Sequence, residues 1–288
     1  MLIVNPKVEL LEQGNDPVPH VARCARVCYN KETGNNDRRL YDDLIQKKHW
    51  SVFRHMTYYA VATRSSWDIP YFIRDLYRSK QKVVGIDVKE DNGCLYIVYN
   101  GNWALDYPVY HKQLSRFHVS PEHFANTETG HSMMLYTFVV TTQISTSREL
   151  NRVSPNSITE MSTRYVDLKN GAVCKPHWLS KEHVDTFNSF GLWDTEKYKN
   201  LPDDIHYYFS GIEHGFEMYQ RAIKAGMRVE DARGILPLDT ATKVIYTYDV
   251  ATWRHIIELR SDKRAQPNCQ IIANMIKKEL EELGYDFQ

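Results

Sequence analysis

The sequence predicts an α+β fold, and two observations carry that expectation. Segments of helical spacing and segments rich in β-branched and aromatic residues are interleaved without the regular strand–helix–strand repeat of a doubly wound sheet. The 288 residues, 42% of them apolar, suffice for one large domain or two ordinary ones with a sizeable core.

The elements follow in order along the chain. Asp16-Pro17 is a helix start, with Asp as N-cap and Pro at the first helical position. Residues 18–29 then place Val18, Val21, Ala25 and Cys28 at helical spacing, and 36–48 read as a second helix with Leu40, Leu44 and Ile45 inward. Residues 52–62 are β-branched and aromatic, which predicts a strand. Residues 82–100 form a hairpin about Glu90-Asp91-Asn92-Gly93, since Asn-Gly favours the tight turn. Residues 102–117 are expected to be helical and 121–131 a polar loop. A strand follows at 135–143 and a short helix at 146–152. The clearest helix is 204–225, where Ile205, Tyr208, Phe209, Ile212, Phe216, Tyr219 and Ile223 make one stripe and Gly226 ends it. A strand at 242–248, a helix at 250–259 and a last amphipathic helix at 270–283 complete the chain. No internal repeat is visible.

Composition excludes several roles. Lys and Arg number 36 against 36 Asp and Glu, so there is no general pull toward DNA or an anionic membrane. No run approaches the ~18–20 apolar residues of a membrane span. The first residues lack a basic stretch followed by a long apolar run, so no secretory leader is expected. The five cysteines (Cys24, Cys28, Cys94, Cys174, Cys269) are odd in number and scattered, which fits a reducing cytoplasm rather than a disulfide framework. Cys24 and Cys28 share a helical face, but no further ligands stand nearby, and no metal site is expected.

The chemistry concentrates in 148–165, RELNRVSPNSITEMSTRY, with Arg148, Arg152 and Arg164, two glutamates and several hydroxyls around a Pro-Asn turn. Guanidinium forks suit phosphate oxygens, and hydroxyls with backbone N–H groups complete an anion nest. A solvated loop whose charges pair with one another is the competing reading. Glu230 and Arg233 are three apart and share a helical face. Arg254 and Arg260 lie on an otherwise apolar helix followed by Lys263 and Arg264. The stretch His49 to His55, HWSVFRH, leads into a strand without a metal pattern.

Together these segments resemble the flavin-dependent thymidylate synthases. The family signature Arg-His-Arg-x-x-Ser-x-Asn-Glu-x-Ser-x-Arg-Tyr falls on residues 152–165: Arg152, Ser157, Glu160, Ser162, Arg164 and Tyr165 match, and Val153, Ser154 and Thr159 depart. Ala25-Arg26-Val27-Cys28-Tyr29 is similar to the N-terminal helix motif. His49-x-Ser51-Val52-x-x-His55 is similar to a His-x-Ser-x-x-Glu-His pattern, with Arg54 where Glu is usual. Ala232-Arg233-x-x-Leu236-Pro237 and Leu259-Arg260, then Ala265-Gln266, resemble the C-terminal motifs. The resemblance covers most of the chain, with 65–133 as an insertion into a single catalytic domain.

The resemblance implies a mixed sheet with flanking helices, a cytoplasmic homotetramer with sites shared between chains, and methylation of dUMP at C5 to dTMP. Methylenetetrahydrofolate gives the carbon, FAD carries the hydride and NADPH reduces the flavin, without an attacking cysteine; Cys174-Lys175-Pro176-His177 is not the Pro-Cys-His nucleophile motif of the other thymidylate synthase family. Arg152, Ser162, Arg164 and Arg233 would hold the phosphate and sugar, with Glu149 beside them and Glu160 anchoring the loop and its arginines. Arg260 would hydrogen-bond the uracil carbonyl and stabilise charge as C5 becomes nucleophilic. On the flavin side, His55, Thr57 and Arg152 remain, and Asp249, Ala251 and His255 stand where Asn, Arg and Asn are common. Val153 and Ser154 replace the His and Arg that flank the flavin; Arg148, Arg254, Lys263 and Arg264 are close enough in sequence to compensate. Two alternatives stay open: a relative that modifies a different pyrimidine nucleotide, and a nucleotide-binding homologue without flavin chemistry.

Overall fold

A four-stranded antiparallel sheet, a three-stranded antiparallel sheet and a short parallel pair carry the chain, in a computed structural model that describes residues 2–31, 33–66, 69–79, 82–168, 171–191 and 194–287. In chain order the elements are β1 (Leu2–Val4), β2 (Lys7–Leu10), α1 (Pro17–Val27), α2 (Asp37–Gln46), β3 (Thr57–Thr63), α3 (Tyr71–Ser79), β4 (Ile86–Asp91) and β5 (Cys94–Asn100). Then come α4 (Gly101–Asp106), α5 (Pro108–Leu114), α6 (Pro121–Phe124), α7 (Glu128–Ser132), β6 (Leu135–Gln143), α8 (Ile144–Leu150), β7 (Ile158–Glu160) and β8 (Ala172–Cys174). The last are α9 (Lys181–Ser189), α10 (Asp203–Lys224), α11 (Val229–Ala232), β9 (Ala241–Asp249), α12 (Val250–Ser261) and α13 (Pro267–Glu282). The expected α+β class is what the chain adopts.

The larger sheet runs β2-β6-β9-β7. β6 and β9 pair from Leu135↔Asp249 to Gln143↔Ala241, and β7 adds Ile158↔Tyr246 to Glu160↔Val244 at one edge. Side chains alternate across a strand, so Phe138, Val140, Val244, Tyr246 and Tyr248 face α12 and α13, meeting Trp253, Ile256, Ile257, Ile272 and Ile276. Val139 and Ile245 face the other way, onto Val21, Cys24 and Ala25 of α1. The sheet is thus covered on both faces. Each fully buried side chain of the size of Phe138 stabilises the fold by about 1.5–3 kcal/mol.

The second sheet, β3-β5-β4, is built by the hairpin of residues 86–100 pairing its second strand with β3, Thr57↔Asn100 through Thr63↔Cys94. Asn92 (φ 49°) and Gly93 (φ 78°) both take the left-handed conformation that the tight turn needs. Residues 65–133 therefore complete a sheet begun by β3 and pack over it with α3 and α4. A third core gathers β1 and β8 with α9 and α10, through Ile3, Val173, Phe187, Phe209 and Phe216.

Local signals act as the sequence implies at several ends. Asp16 Oδ1 accepts the Val18 N–H at 3.0 Å, with Pro17 opening α1. Gly226 at φ 96° ends the turn after α10. Elsewhere the structure differs. The strand expected at 52–62 starts only at Thr57, because Trp50–His55 is a 3-10 helix; its buried residues are Val52, Phe53 and His55, a spacing without alternation. The helix expected over 102–117 breaks at Tyr107-Pro108, where Pro108 opens α5. The expected loop 121–131 contains α6 and α7, capped by Ser120 and Thr127. The strands β1, β2, β7 and β8 and the helices α3 and α9 have no counterpart in the sequence reading.

Candidate functional site

β6 runs into α8 and β9 runs into α12, so antiparallel pairing brings Gln143 opposite Ala241 at one end and Leu135 opposite Asp249 at the other. α8 carries Glu149, and α12 ends with Arg260 in its last turn. Glu149 is where they meet. Arg260 Nη1 donates to Glu149 Oε2 at 3.3 Å and Nη2 to the Glu149 carbonyl; Arg152 Nη1 donates to the same Oε2 at 3.3 Å. Arg260 is largely buried and Arg152 is exposed, so this carboxylate gathers one inner and one outer guanidinium.

Glu160, on β7, is tied to the same helix. Its Oε1 accepts from Ser147 Oγ at 2.8 Å and Thr242 Oγ1 at 3.1 Å, and its Oε2 from Asn151 Nδ2 at 3.4 Å. Tyr246 OH donates to Asn151 Oδ1 at 2.8 Å. The carboxylate thus holds hydroxyls and an amide, not a guanidinium: it fixes the loop, while the arginines find other partners.

A second group begins two residues on, at Ser162. Arg164 Nη2 donates to Glu230 Oε2 at 3.1 Å, Ser162 Oγ accepts the Arg164 N–H at 3.3 Å, and Arg233 Nη1 donates to Thr163 Oγ1 at 3.3 Å. The helical face expected for Glu230 and Arg233 is not used by that pair. α11 ends at Ala232, and Glu230 turns to Arg164 and to Arg228 at 2.8 Å. The two groups are joined by the chain itself, since the four residues from Glu160 to Arg164 span at most about 14 Å. Arg152 and Arg260 thus meet at Glu149, whereas Arg164 is tied to Glu230 and Arg233 to Thr163.

The flavin-side candidates divide differently. His55 is fully buried; its Nδ1 pairs with Thr247 Oγ1 and its Nε2 with Thr159 Oγ1, each at 2.8 Å. Thr57 is buried at the start of β3, its N–H and carbonyl both bound by the Gln13 amide at 2.6 Å. Asp249 caps α12 by accepting the Thr252 N–H at 2.6 Å. His255 is exposed on that helix. Val153 packs against the core below α12 and α13, whereas Ser154 is exposed. Arg254 lies 4.7 Å from the Phe287 ring centre, and Arg264 pairs with Asp262 at 2.9 Å.

Burial pushes the His55 imidazole down to about 3, with His20 and Arg54 adding to the effect, and pushes His20 down to about 4. His20 meets the His55 carbonyl at 3.0 Å. Both rings are therefore neutral in the folded chain, while an unfolded histidine takes a proton near 6.5. The unfolded state then binds more protons below that pH. Stability is fully present above about 6.5 and is lost as pH falls toward the folded values, by up to about 1.4 kcal/mol per pH unit per histidine. Urea midpoints measured between about pH 7.5 and 5 are expected to fall, and a flat profile would contradict the burial of these rings.

The sequence reading missed Ser147, Asn151 and Thr242 as partners of Glu160, and Arg54 as a contact of the loop; hydroxyls and amides spread over three elements leave no motif. Among the described residues, no group of three or more His, Cys, Asp and Glu could hold a metal ion, and no helix is long and apolar enough to cross a membrane.

The family described as "Thymidylate synthase complementing protein" matches residues 122–283, beginning inside the segment 65–133. The "Flavin-dependent thymidylate synthase" of Thermosipho melanesiensis is 28% identical over 155 residues, covering 54% of this chain and 66% of that protein. The protein of the same name from Thermosipho africanus is 28% identical over 156 residues, covering 53% of this chain and 67% of that protein. A solved structure, a UMP/dUMP methylase PolB from Streptomyces cacaoi bound with 5-Br dUMP, aligns over 98% of this chain and 93% of its own, at 18% identity and a TM-score of 0.45. With more than half of its length inside the family match, this chain belongs to the flavin-dependent thymidylate synthase family.

Proposed function

We propose that this chain methylates dUMP at C5 to give dTMP, with methylenetetrahydrofolate as carbon donor and FAD and NADPH as the redox pair, as a cytoplasmic homotetramer and with 65–133 as an insertion in one catalytic domain. The observation that carries this reading is the meeting of Arg152 and Arg260 on one carboxylate, Glu149, with Arg164 and Arg233 tied to Glu230 and Thr163 just beyond β7. Family membership and the names of the curated relatives support it.

The roles are those that the family resemblance implies, and the arrangement supports them. Arg152, Ser162, Arg164 and Arg233 bind the phosphate and sugar, since forked N–H donors and a hydroxyl match phosphate oxygens. Arg260, oriented by Glu149, hydrogen-bonds the uracil carbonyl and stabilises the negative charge that builds as C5 becomes nucleophilic. Glu160 keeps β7 against α8, so that the phosphate-side and base-side arginines hold their separation. In this reading no thiol attacks the pyrimidine, and Cys174 fits that: it is fully buried, and burial, then Asp239, pushes its thiol up to about 12.

The donors present fit a phosphate-bearing cofactor at the 151–157 loop, where Arg152 and Ser154 are exposed. His255 lies exposed on α12, while His55, Thr57 and Asp249 support from within, fixing the 3-10 turn, β3 and the start of α12. Bound FAD supplies the hydride, and the protein orients it. The packing of Val153 into the core, at a position where the family has a His beside the flavin, favours one second reading, a nucleotide-binding homologue without flavin chemistry.

The test is tritium release from C5-labelled dUMP with methylenetetrahydrofolate, FAD and NADPH. Release with dTMP formation is expected. A yellow protein that releases no tritium from dUMP would move the reading to another nucleotide. Protein that takes up no flavin would leave a nucleotide-binding homologue.

A further inference from the structure

Arg54 has no part in the site as assembled so far. It sits in the last turn of the 3-10 helix Trp50–His55 and reaches the loop between α8 and β7, where Nη1 donates to the Asn156 carbonyl at 3.0 Å. Its neighbour His55 is bonded to Thr159 of β7 and to Thr247 of β9. The turn that carries Arg54 is therefore fixed to both strands, and the guanidinium is anchored at a defined place over the loop.

The other guanidiniums of the site are engaged. Arg152 and Arg260 share Glu149, Arg164 pairs with Glu230, and Arg233 meets Thr163. Arg54 is half-buried and makes one hydrogen bond to a main-chain carbonyl, with no ion pair to a carboxylate among the described residues. A guanidinium offers five N–H donors in a fixed fork. Holding one of them on the backbone removes side-chain freedom that a ligand contact would otherwise have to remove. The Asn156 that Arg54 meets is exposed, as is Ser154 two residues earlier in the same loop.

We propose that Arg54 is a ligand-binding residue: the fixed, uncompensated guanidinium over the 151–157 loop grips a phosphoryl group of a bound nucleotide. The inference rests on the function proposed above and extends it to a residue outside the signature. Two nucleotides in that reaction carry the required chemistry, the monophosphate of dUMP and the pyrophosphate of FAD, and the test separates them.

Dissociation constants are measured for dUMP against deoxyuridine, and for FAD against riboflavin, in the full-length chain and in Arg54→Gln and Arg54→Lys. Gln retains a donor for the Asn156 carbonyl without the charge; Lys retains the charge without the fork. The expected result is that Arg54→Gln weakens one phosphate-bearing ligand by about tenfold or more, leaves its phosphate-free counterpart unchanged, and that Arg54→Lys recovers part of the loss. Loss on dUMP alone assigns the monophosphate, and loss on FAD alone the pyrophosphate. Equal losses for both members of a pair, or no loss, overturn the inference and leave Arg54 a tie for the loop. If the unsubstituted chain binds neither dUMP nor FAD, the proposed function fails first and takes this inference with it.

Discussion

Arg260→Ala is expected to lower turnover of dUMP by about 10²–10³, the effect of removing one preorganised donor from a developing oxyanion, while the fold persists. The guanidinium is held from two directions, by the Glu149 carboxylate at 3.3 Å and by the Glu149 carbonyl, so its orientation is set before a ligand arrives. Only part of its donor edge is used in this way. The partner that would lose its counter-ion, Glu149, has 39% of its side chain exposed and can be rehydrated. The stability cost of breaking such a partly exposed pair is about 1 kcal/mol or less. The measurement is the rate of tritium release beside an unfolding curve. A large loss of rate with a nearly unchanged midpoint is the expected pair of results. Full activity in the variant would remove the uracil contact from the proposal, and a collapsed midpoint would show that Arg260 serves the fold.

Lys197→Met is expected to act in the opposite way, on stability. Lys197 and Glu213 form an ion pair with side chains 1% and 0% exposed. Tyr198 OH donates to the other Glu213 oxygen, and the ammonium also donates to the Gly191 carbonyl at 3.0 Å and lies 4.7 Å from the Phe187 ring centre. The pair fastens the 3-10 turn Thr195–Tyr198 to the middle of α10. Removing the lysine alone strands a carboxylate inside the core, which costs about 3–5 kcal/mol. Replacing both, Lys197→Met with Glu213→Leu, removes that charge and is expected to recover most of the loss, because hydrophobic substitutes for a buried pair are often neutral. Denaturant titration of the three proteins decides it: a double variant no better than the single one would show that the pair is worth more than its desolvation.

Legibility from the sequence followed the strength of local signals. β6 and β9 were readable because both faces of the sheet are covered and the strands are continuous apolar and threonine runs. α10 was readable because it has one apolar stripe and a glycine at its end. β1, β7 and β8 span three residues each, too short for any period to register. Trp50–His55 misled because Val52 and Phe53 favour a strand wherever β-propensity alone is considered, whereas the turn is set by what it covers, α1 and β7. The site shows the same division. The arginines were nameable from a spaced signature, but their partners were not. Glu149, rather than Glu160, collects two of them, and Glu160 is held by neutral donors on α8 and β9. Pairings between elements far apart in sequence depend on the sheet order, which no local window contains.

β7 sits at the outer edge of its sheet, paired to β9 alone over three residues, Ile158 to Glu160. Ser162 and Arg164, placed at the phosphate in the proposed function, follow directly from it. A three-residue edge can open and close at a small fraction of the free energy needed to unfold the β6–β9 centre. In the proposed function, the stretch that meets the nucleotide phosphate is therefore attached to the layered core through this short edge and through the hydrogen bonds of Glu160.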